Sequence, residues 1–380
     1  MPDTTARSAP APTRAAAPAP FASGLLPMDD GALIHWEATG NPTGIPVLYL
    51  HGGPGGGLGH GGYRRRFPGG DHLIIGLDQR GCGPSSPHVS DHPETLATQT
   101  TARLLADAEA VREHLGIGAW IVHGVSWGST LALAYALDHP DRTLGVALMA
   151  VTTTSRREVD WITDGVGRLF PEEWSRFAGE VGLGGRLPGP RGGEGIDEGD
   201  RVVRRYADRL GAVGTSAATL ADRRAAADAW DRWETVHVSL DPLWAPGPFR
   251  ADPEDRLNMC TLITHYWAHD GFMRGPAFGE PAPVLERVAA GGLDGIPGIL
   301  VHGRHDVSGP VETAWLLARA WGGDADLRVI EDEGHGGPVG SQVLTDAVAG
   351  WVSGWRRSGR AAALGRERGA GSREGWPQKG

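Results

Sequence analysis

The stretch Ile121–Pro140 reads IVHGVSWGSTLALAYALDHP. Its first half is a short apolar run, and its second half has helical character and stops at a proline. Ser126 stands at the seam, with Gly124 and Gly128 on either side. A serine that only capped a helix would need neither glycine. Gly-x-Ser-x-Gly between a strand and a helix is the setting of a nucleophile elbow, a sharp turn that lifts the hydroxyl clear of a sheet. The N-terminus of the following helix adds favourable potential for developing negative charge.

Outward from this seam the chain alternates. IPVLYLHGG (45–53), HLIIGLDQRG (72–81), AWIVHGVS (119–126) and LGVALMAV (144–151) read as strands. TARLLADAEAVREHLG (101–116) has apolar residues at helical spacing and a C-capping glycine, Gly116. Continuous apolar runs fit parallel strands buried on both faces. The β-α-β-α order predicts an α/β fold with a mostly parallel open sheet. From about Thr152 to Ala290 the strand pattern breaks and helical, Trp-rich segments take over. The sheet pattern resumes at IPGILVHGRHD (296–306) and DLRVIEDEGHGG (326–337). An α/β core over 23–151 and 291–356, interrupted by a helical cap over 152–290, is therefore expected. Such a cap lies over the strand C-termini, where open sheets bind ligands. The Gly/Pro-rich segment 182–199 within it reads as mobile, and the Ala/Pro-rich 1–22 and Gly/Arg-rich 357–380 read as loose tails.

A serine hydroxyl needs a base, and in this arrangement the partners follow in the order Ser, acid, His. Asp306 follows one late strand and His335 follows the last, in a glycine-rich loop. Glu331 and Asp332 precede the histidine too closely to be the acid, and His305 points elsewhere. Acyl transfer also needs oxyanion donors: the backbone N–H groups of Trp127 and of Gly53, in the HGGPGGG loop, are the candidates. That loop fits neither dinucleotide nor P-loop spacing.

Composition excludes other classes. A formal charge of −10 argues against a nucleic-acid partner. No run of about 20 apolar residues would span a membrane, and no secretion signal is evident. The two cysteines, Cys82 and Cys260, form no disulfide framework or zinc site. A cytoplasmic protein without metal or cofactor is expected, with no reading of oligomeric state.

At these residues the chain resembles the prolyl aminopeptidases (proline iminopeptidases) of the α/β-hydrolase superfamily. The likeness is carried by HGGPGGG (51–57), DQRGCGPSSPH (78–88), GVSWGSTLALAYALDHP (124–140), AWDRWE (229–234), HYW (265–267), GRHD (303–306) and GHGG (334–337). The resemblance implies a hydrolase core with a helical cap and a cofactor-free serine peptidase that releases N-terminal proline. It gives Ser126, Asp306 and His335 as triad and Glu234 as the cap carboxylate that binds the substrate's free amine. Trp127, Trp230, Trp233, Tyr266 and Trp267 are candidates for an apolar pocket. There are departures: Ile263 stands where the family carries a second acid, and Cys82 and Pro84 replace the usual Ser and Arg. Val125 stands for a glycine in the elbow. Three readings stay open at this stage. One is a prolyl aminopeptidase acting on small peptides, and another a related hydrolase of a different small amide or ester. The third is a ligand-binding protein of the same fold without turnover.

Overall fold

The computed structural model describes residues 17–67, 70–189, 199, 201–214, 216–238, 240, 250–273 and 284–358. Among the described residues, eight strands form one sheet: β1 (Ala22–Pro27), β2 (Leu33–Gly40), β3 (Ile45–Leu50), β4 (His72–Leu77), β5 (Trp120–Val125), β6 (Thr143–Met149), β7 (Gly298–Gly303) and β8 (Ala325–Ile330). Their spatial order is β1-β2-β4-β3-β5-β6-β7-β8. β2 runs antiparallel to both neighbours, and the pairs from β4 to β8 are parallel. The expected mostly parallel sheet is present, with an antiparallel β1–β2 margin added. β4, β6 and β7 are buried along their whole lengths, as apolar runs covered on both faces require. The edge strand β8 alternates in exposure and presents Asp326 and Arg328 to solvent, which discourages pairing with another chain.

Helices α1 (Thr101–His114) and α2 (Trp127–Asp138) follow β4 and β5. α2 is buried almost all round, consistent with its uniformly apolar sequence. After β6 come α3 (Arg156–Thr163), α4 (Pro171–Glu180), α5 (Val202–Leu210), α6 (Ala217–Val238) and α7 (Pro253–Ala268). These helices share a core of their own that includes Val159, Trp174, Phe177, Tyr206, Trp230 and Trp233. α7 serves two cores: Leu257, Cys260 and Ile263 face the helical cluster, whereas Leu262 and Tyr266 join the sheet core.

Three boundaries differ from the sequence reading. α8 (Val284–Ala289), inside the expected cap, buries Val284 and Val288 in the sheet core against α2 and α9 (Glu312–Trp321). Ala22, assigned to the tail, already pairs with Ala38. The last helix, α10 (Pro338–Arg357), reaches one residue into the other tail. The remaining tail stretches 1–16 and 359–380, and residues 190–198 of the segment expected to be mobile, lie outside the described residues. The nearer part of that segment is anchored: Asp164 accepts from the Gly189 N–H at 2.6 Å and pairs with Arg186 at 2.8 Å. No described helix is long and apolar enough to cross a membrane.

Candidate active site

Every residue proposed for chemistry on the core lies just beyond the C-terminal end of a parallel strand. β3 leads into the 51–57 loop, β5 into Ser126, β7 into Asp306 and β8 into His335. The elbow explains its own glycines. Ser126 has φ 56° and ψ −127°, a conformation that side chains rarely adopt and that costs about 1–3 kcal/mol. A Cβ on Gly124 would lie 2.1 Å from the Gly128 carbonyl oxygen, and one on Gly128 would lie 2.1 Å from that of Leu50. The strand–helix crossing therefore has no room for a methyl group. The strained turn is held by Ser126 N donating to Met149 O (3.0 Å) and Thr152 Oγ1 donating to Ser126 O (2.8 Å).

His335 Nδ1 lies 2.7 Å from Asp306 Oδ2. The Asp306 side chain is buried, while about a third of the His335 side chain is exposed (31 %). Burial pushes the Asp306 carboxyl up. The His335 charge and hydrogen bond, with help from His302 and the Gly309 N–H, outweigh it and hold the group below the usual carboxylate range. An ionised Asp306 accepts, so Nδ1 of His335 carries the proton and Nε2 is the unprotonated nitrogen of the neutral ring.

Glu333 is a residue that the sequence reading missed. Its carboxylate accepts from the Val339 and Gly340 N–H groups (2.7 and 2.9 Å), filling the open N-terminus of α10. The loop carrying His335 is thereby tied at both ends. Glu333→Ala is expected to destabilise the protein by about 1–2 kcal/mol, measured as a lowered denaturant midpoint at unchanged slope; an unchanged midpoint would remove this role.

Ser126, Trp127 and Gly53 line one small cavity of about 50 Å³, together with Thr152, Glu158, Ile162, Trp267 and Ser308 among others. Gly53 has φ 121°, and a Cβ there would meet the Gly55 and Gly56 nitrogens at 2.6 and 2.7 Å. Trp127 opens α2, where the first N–H groups have no intrahelical acceptor. Gln79 bridges the two segments: Trp127 Nε1–H donates to its Oε1 (3.0 Å), and its Nε2 donates to His51 O (2.8 Å). Because an indole only donates and a carbonyl only accepts, the amide has one possible orientation.

The aromatic candidates divide. Trp127 and Trp267 line the cavity. Tyr266 packs behind Trp127 at 4.9 Å between ring centres. Trp230 and Trp233 belong to the helical core, where Trp233 stacks on Phe177 at 5.1 Å and donates to Ile162 O. Glu158, a cavity residue not singled out from sequence, was legible as a capping box: Ser155 and Glu158 satisfy each other at the start of α3.

Glu234 sits on α6, nearly buried, and accepts from Trp230 Nε1–H at 2.8 Å. Burial raises its carboxyl to about 7; the Trp230 hydrogen bond and the His335 charge pull downward against burial, and the nearby Asp231 charge adds to the rise. Ile263 is buried in the same helical core, where it supplies no second carboxylate. Cys82 and Cys260 are buried free thiols. Burial pushes Cys260 well above, and Cys82 above, the ordinary range, which keeps both protonated and unreactive.

A strand-to-helix elbow serine, a buried carboxylate–histidine pair and a covering helical layer define the class: residues 45–184 match the family model described as alpha/beta hydrolase fold. A solved haloalkane dehalogenase from Bradyrhizobium elkani shares this fold, with a TM-score of 0.54 at 18% identity over 89% of this chain and 99% of that one. The probable proline iminopeptidase of Streptomyces coelicolor is 36% identical over 339 residues, 88% of this chain and 96% of that protein. The proline iminopeptidase of Arabidopsis thaliana is 35% identical over 317 residues, 83% of this chain and 75% of that protein. The chain belongs to the proline iminopeptidase family.

Proposed function

We propose that the protein is a serine hydrolase that releases an N-terminal proline, or a similar residue, from short peptides through an acyl-enzyme. The observation that carries this reading is the 2.7 Å Asp306–His335 pair at the same sheet edge as the strained elbow serine, in a chain of this family. Ser126 Oγ attacks the carbonyl carbon of the first residue while His335 Nε2 takes its proton. Asp306 keeps the imidazole in the right tautomer and stabilises its charged form. The Gly53 and Trp127 N–H groups hold the oxyanion. His335 then protonates the leaving amine, and water, deprotonated by the same ring, hydrolyses the ester to free proline and Ser126.

Glu234 is the group proposed to hold the substrate's amine. A buried carboxylate facing a cationic secondary amine forms a charge-assisted hydrogen bond, worth about 1.5–3 kcal/mol. Glu234→Gln is therefore expected to raise KM for a prolyl anilide by about 10- to 100-fold, with a smaller effect on kcat. The sign of the pH effect follows from the raised value. Above about 7 the carboxyl is charged and attracts the amine; below it the group is neutral, so wild-type KM rises as the pH falls through 7. That rise is expected to disappear in Glu234→Gln. Equal KM values in the two proteins across this range would exclude Glu234 from amine binding.

Ile263 favours a second reading, hydrolysis of an ester or a different small amide, because a buried apolar side chain at that position supplies no carboxylate to share an amine with Glu234. Steady-state rates on a prolyl anilide and on a simple acyl ester decide between them. A much faster ester reaction, indifferent to Glu234→Gln, would replace the aminopeptidase reading.

A further inference from the structure

Asp306 heads a four-residue turn, Asp306–Gly309, that is gripped from two sides. The turn is closed on itself by Gly309 N donating to Asp306 Oδ1 at 2.9 Å, and His302, on β7, holds it from the sheet core. His302 Nδ1 accepts from Val151 N at 3.0 Å, so its Nε2 carries the proton and donates to Gly309 O at 2.6 Å. From the helical layer, Trp161 Nε1–H on α3 donates to Val307 O at 2.8 Å. His237 Nδ1 on α6 shares a hydrogen bond with Ser308 Oγ, also at 2.8 Å. Val307 itself packs into the helical core rather than the sheet core.

His237 is the telling member. It is 2 % exposed, and its Nε2 has no hydrogen-bond partner among the described residues. Burial, reinforced by the His335 charge and opposed by that of Asp306, depresses it to about 3, so the ring is neutral. An apolar side chain would fill the same space without leaving a buried nitrogen unsatisfied, and such a group calls for an explanation. The bond to Ser308, two residues from Asp306, supplies one.

We infer that His237 and Trp161 are positioning residues: by seating α6 and α3 on Ser308 and Val307, they fix the turn that aims the Asp306 carboxylate at His335. Glu234 lies three residues before His237 on α6, so the two side chains share a helix face. The helix turn proposed to hold the substrate's amine is thus also the one that holds the Asp306 turn. The inference rests on the reading of Asp306 and His335 as the acid–base pair.

The test compares His237→Leu, Ser308→Ala, the double variant and His237→Asn, on whichever of prolyl anilide or acyl ester the wild type hydrolyses. Each of the first two variants is expected to lower kcat by about 10- to 50-fold with KM changed less than about threefold. The double variant should be no worse than the poorer single, because both remove the same hydrogen bond. His237→Asn, whose amide can still reach Ser308, should recover most of the rate. In parallel, the downfield proton resonance of the His335–Asp306 hydrogen bond should broaden or vanish in His237→Leu and Ser308→Ala and persist in His237→Asn. Should His237→Leu not fold, Ser308→Ala removes the same bond from the other side. Unchanged kcat and an unchanged resonance in Ser308→Ala, or multiplying losses in the double variant, would overturn the inference. Failure of the underlying reading shows separately, as hydrolysis that survives Ser126→Ala.

Discussion

Ser126→Ala is expected to lower kcat by on the order of 10⁴- to 10⁶-fold with the fold intact. The hydroxyl is the only group lost, and without it no acyl-enzyme can form. Residual catalysis from the Gly53 and Trp127 N–H groups and from substrate binding would persist at a low level above the uncatalysed rate. KM for a prolyl anilide should change little, since Glu234, not Ser126, is assigned the amine. Alanine also suits the φ 56° site no better than serine, so thermal stability should stay close to wild type. Turnover within tenfold of wild type would rule out covalent catalysis at this position.

Gly128→Ala carries the largest expected effect on folding. The new methyl would sit 2.1 Å from the Leu50 carbonyl oxygen and 2.9 Å from that of His51. These are backbone atoms of a central strand and of the loop leading to Gly53, so neither can swing aside as a side chain would. The α2 helix would have to lift from the sheet and open the core around Leu131, Leu133 and Tyr135. A loss above about 4 kcal/mol is expected, in the range reserved for severe core damage. It would appear as insoluble or unfolded protein, or as a large fall in denaturant midpoint. Activity should fall with it, because the Ser126 turn and the Gly53 loop meet at that contact. A well-folded Gly128→Ala protein with wild-type stability would contradict the close strand–helix approach.

Much of the core was legible because its signals are local. The elbow announces itself through glycines whose necessity is steric. The buried strands β4, β6 and β7 read as apolar runs, and the places of Asp306 and His335 follow from counting strands. The β1–β2 margin was not legible as such: its apolar and polar residues mix without the long buried runs of the centre. The helical layer was harder to read. Trp230, Trp233 and Trp267 look alike at helical spacing, yet two pack into the helical core and one lines the cavity. Sequence hydrophobicity does not distinguish a ring against Phe177 from a ring against a cavity.

The polar network escaped for a related reason. Gln79 meets Trp127 across 48 residues, and His237 meets Ser308 across 71. No local pattern marks such a pair. Glu331, Asp332 and Glu333 stand side by side in the chain. Only the register of the turn sends Glu333 beneath α10 and leaves Glu331 paired with Arg304 at the surface.

The central claim is that Ser126 is made nucleophilic by His335 held on Asp306. It is tested most directly by the rate at which a serine-reactive phosphonate labels the protein, with the modified peptide identified by mass spectrometry. Wild type should take up one label, on Ser126, and His335→Ala should react on the order of 10³-fold more slowly. Label on another residue, or an undiminished rate without the imidazole, would contradict it.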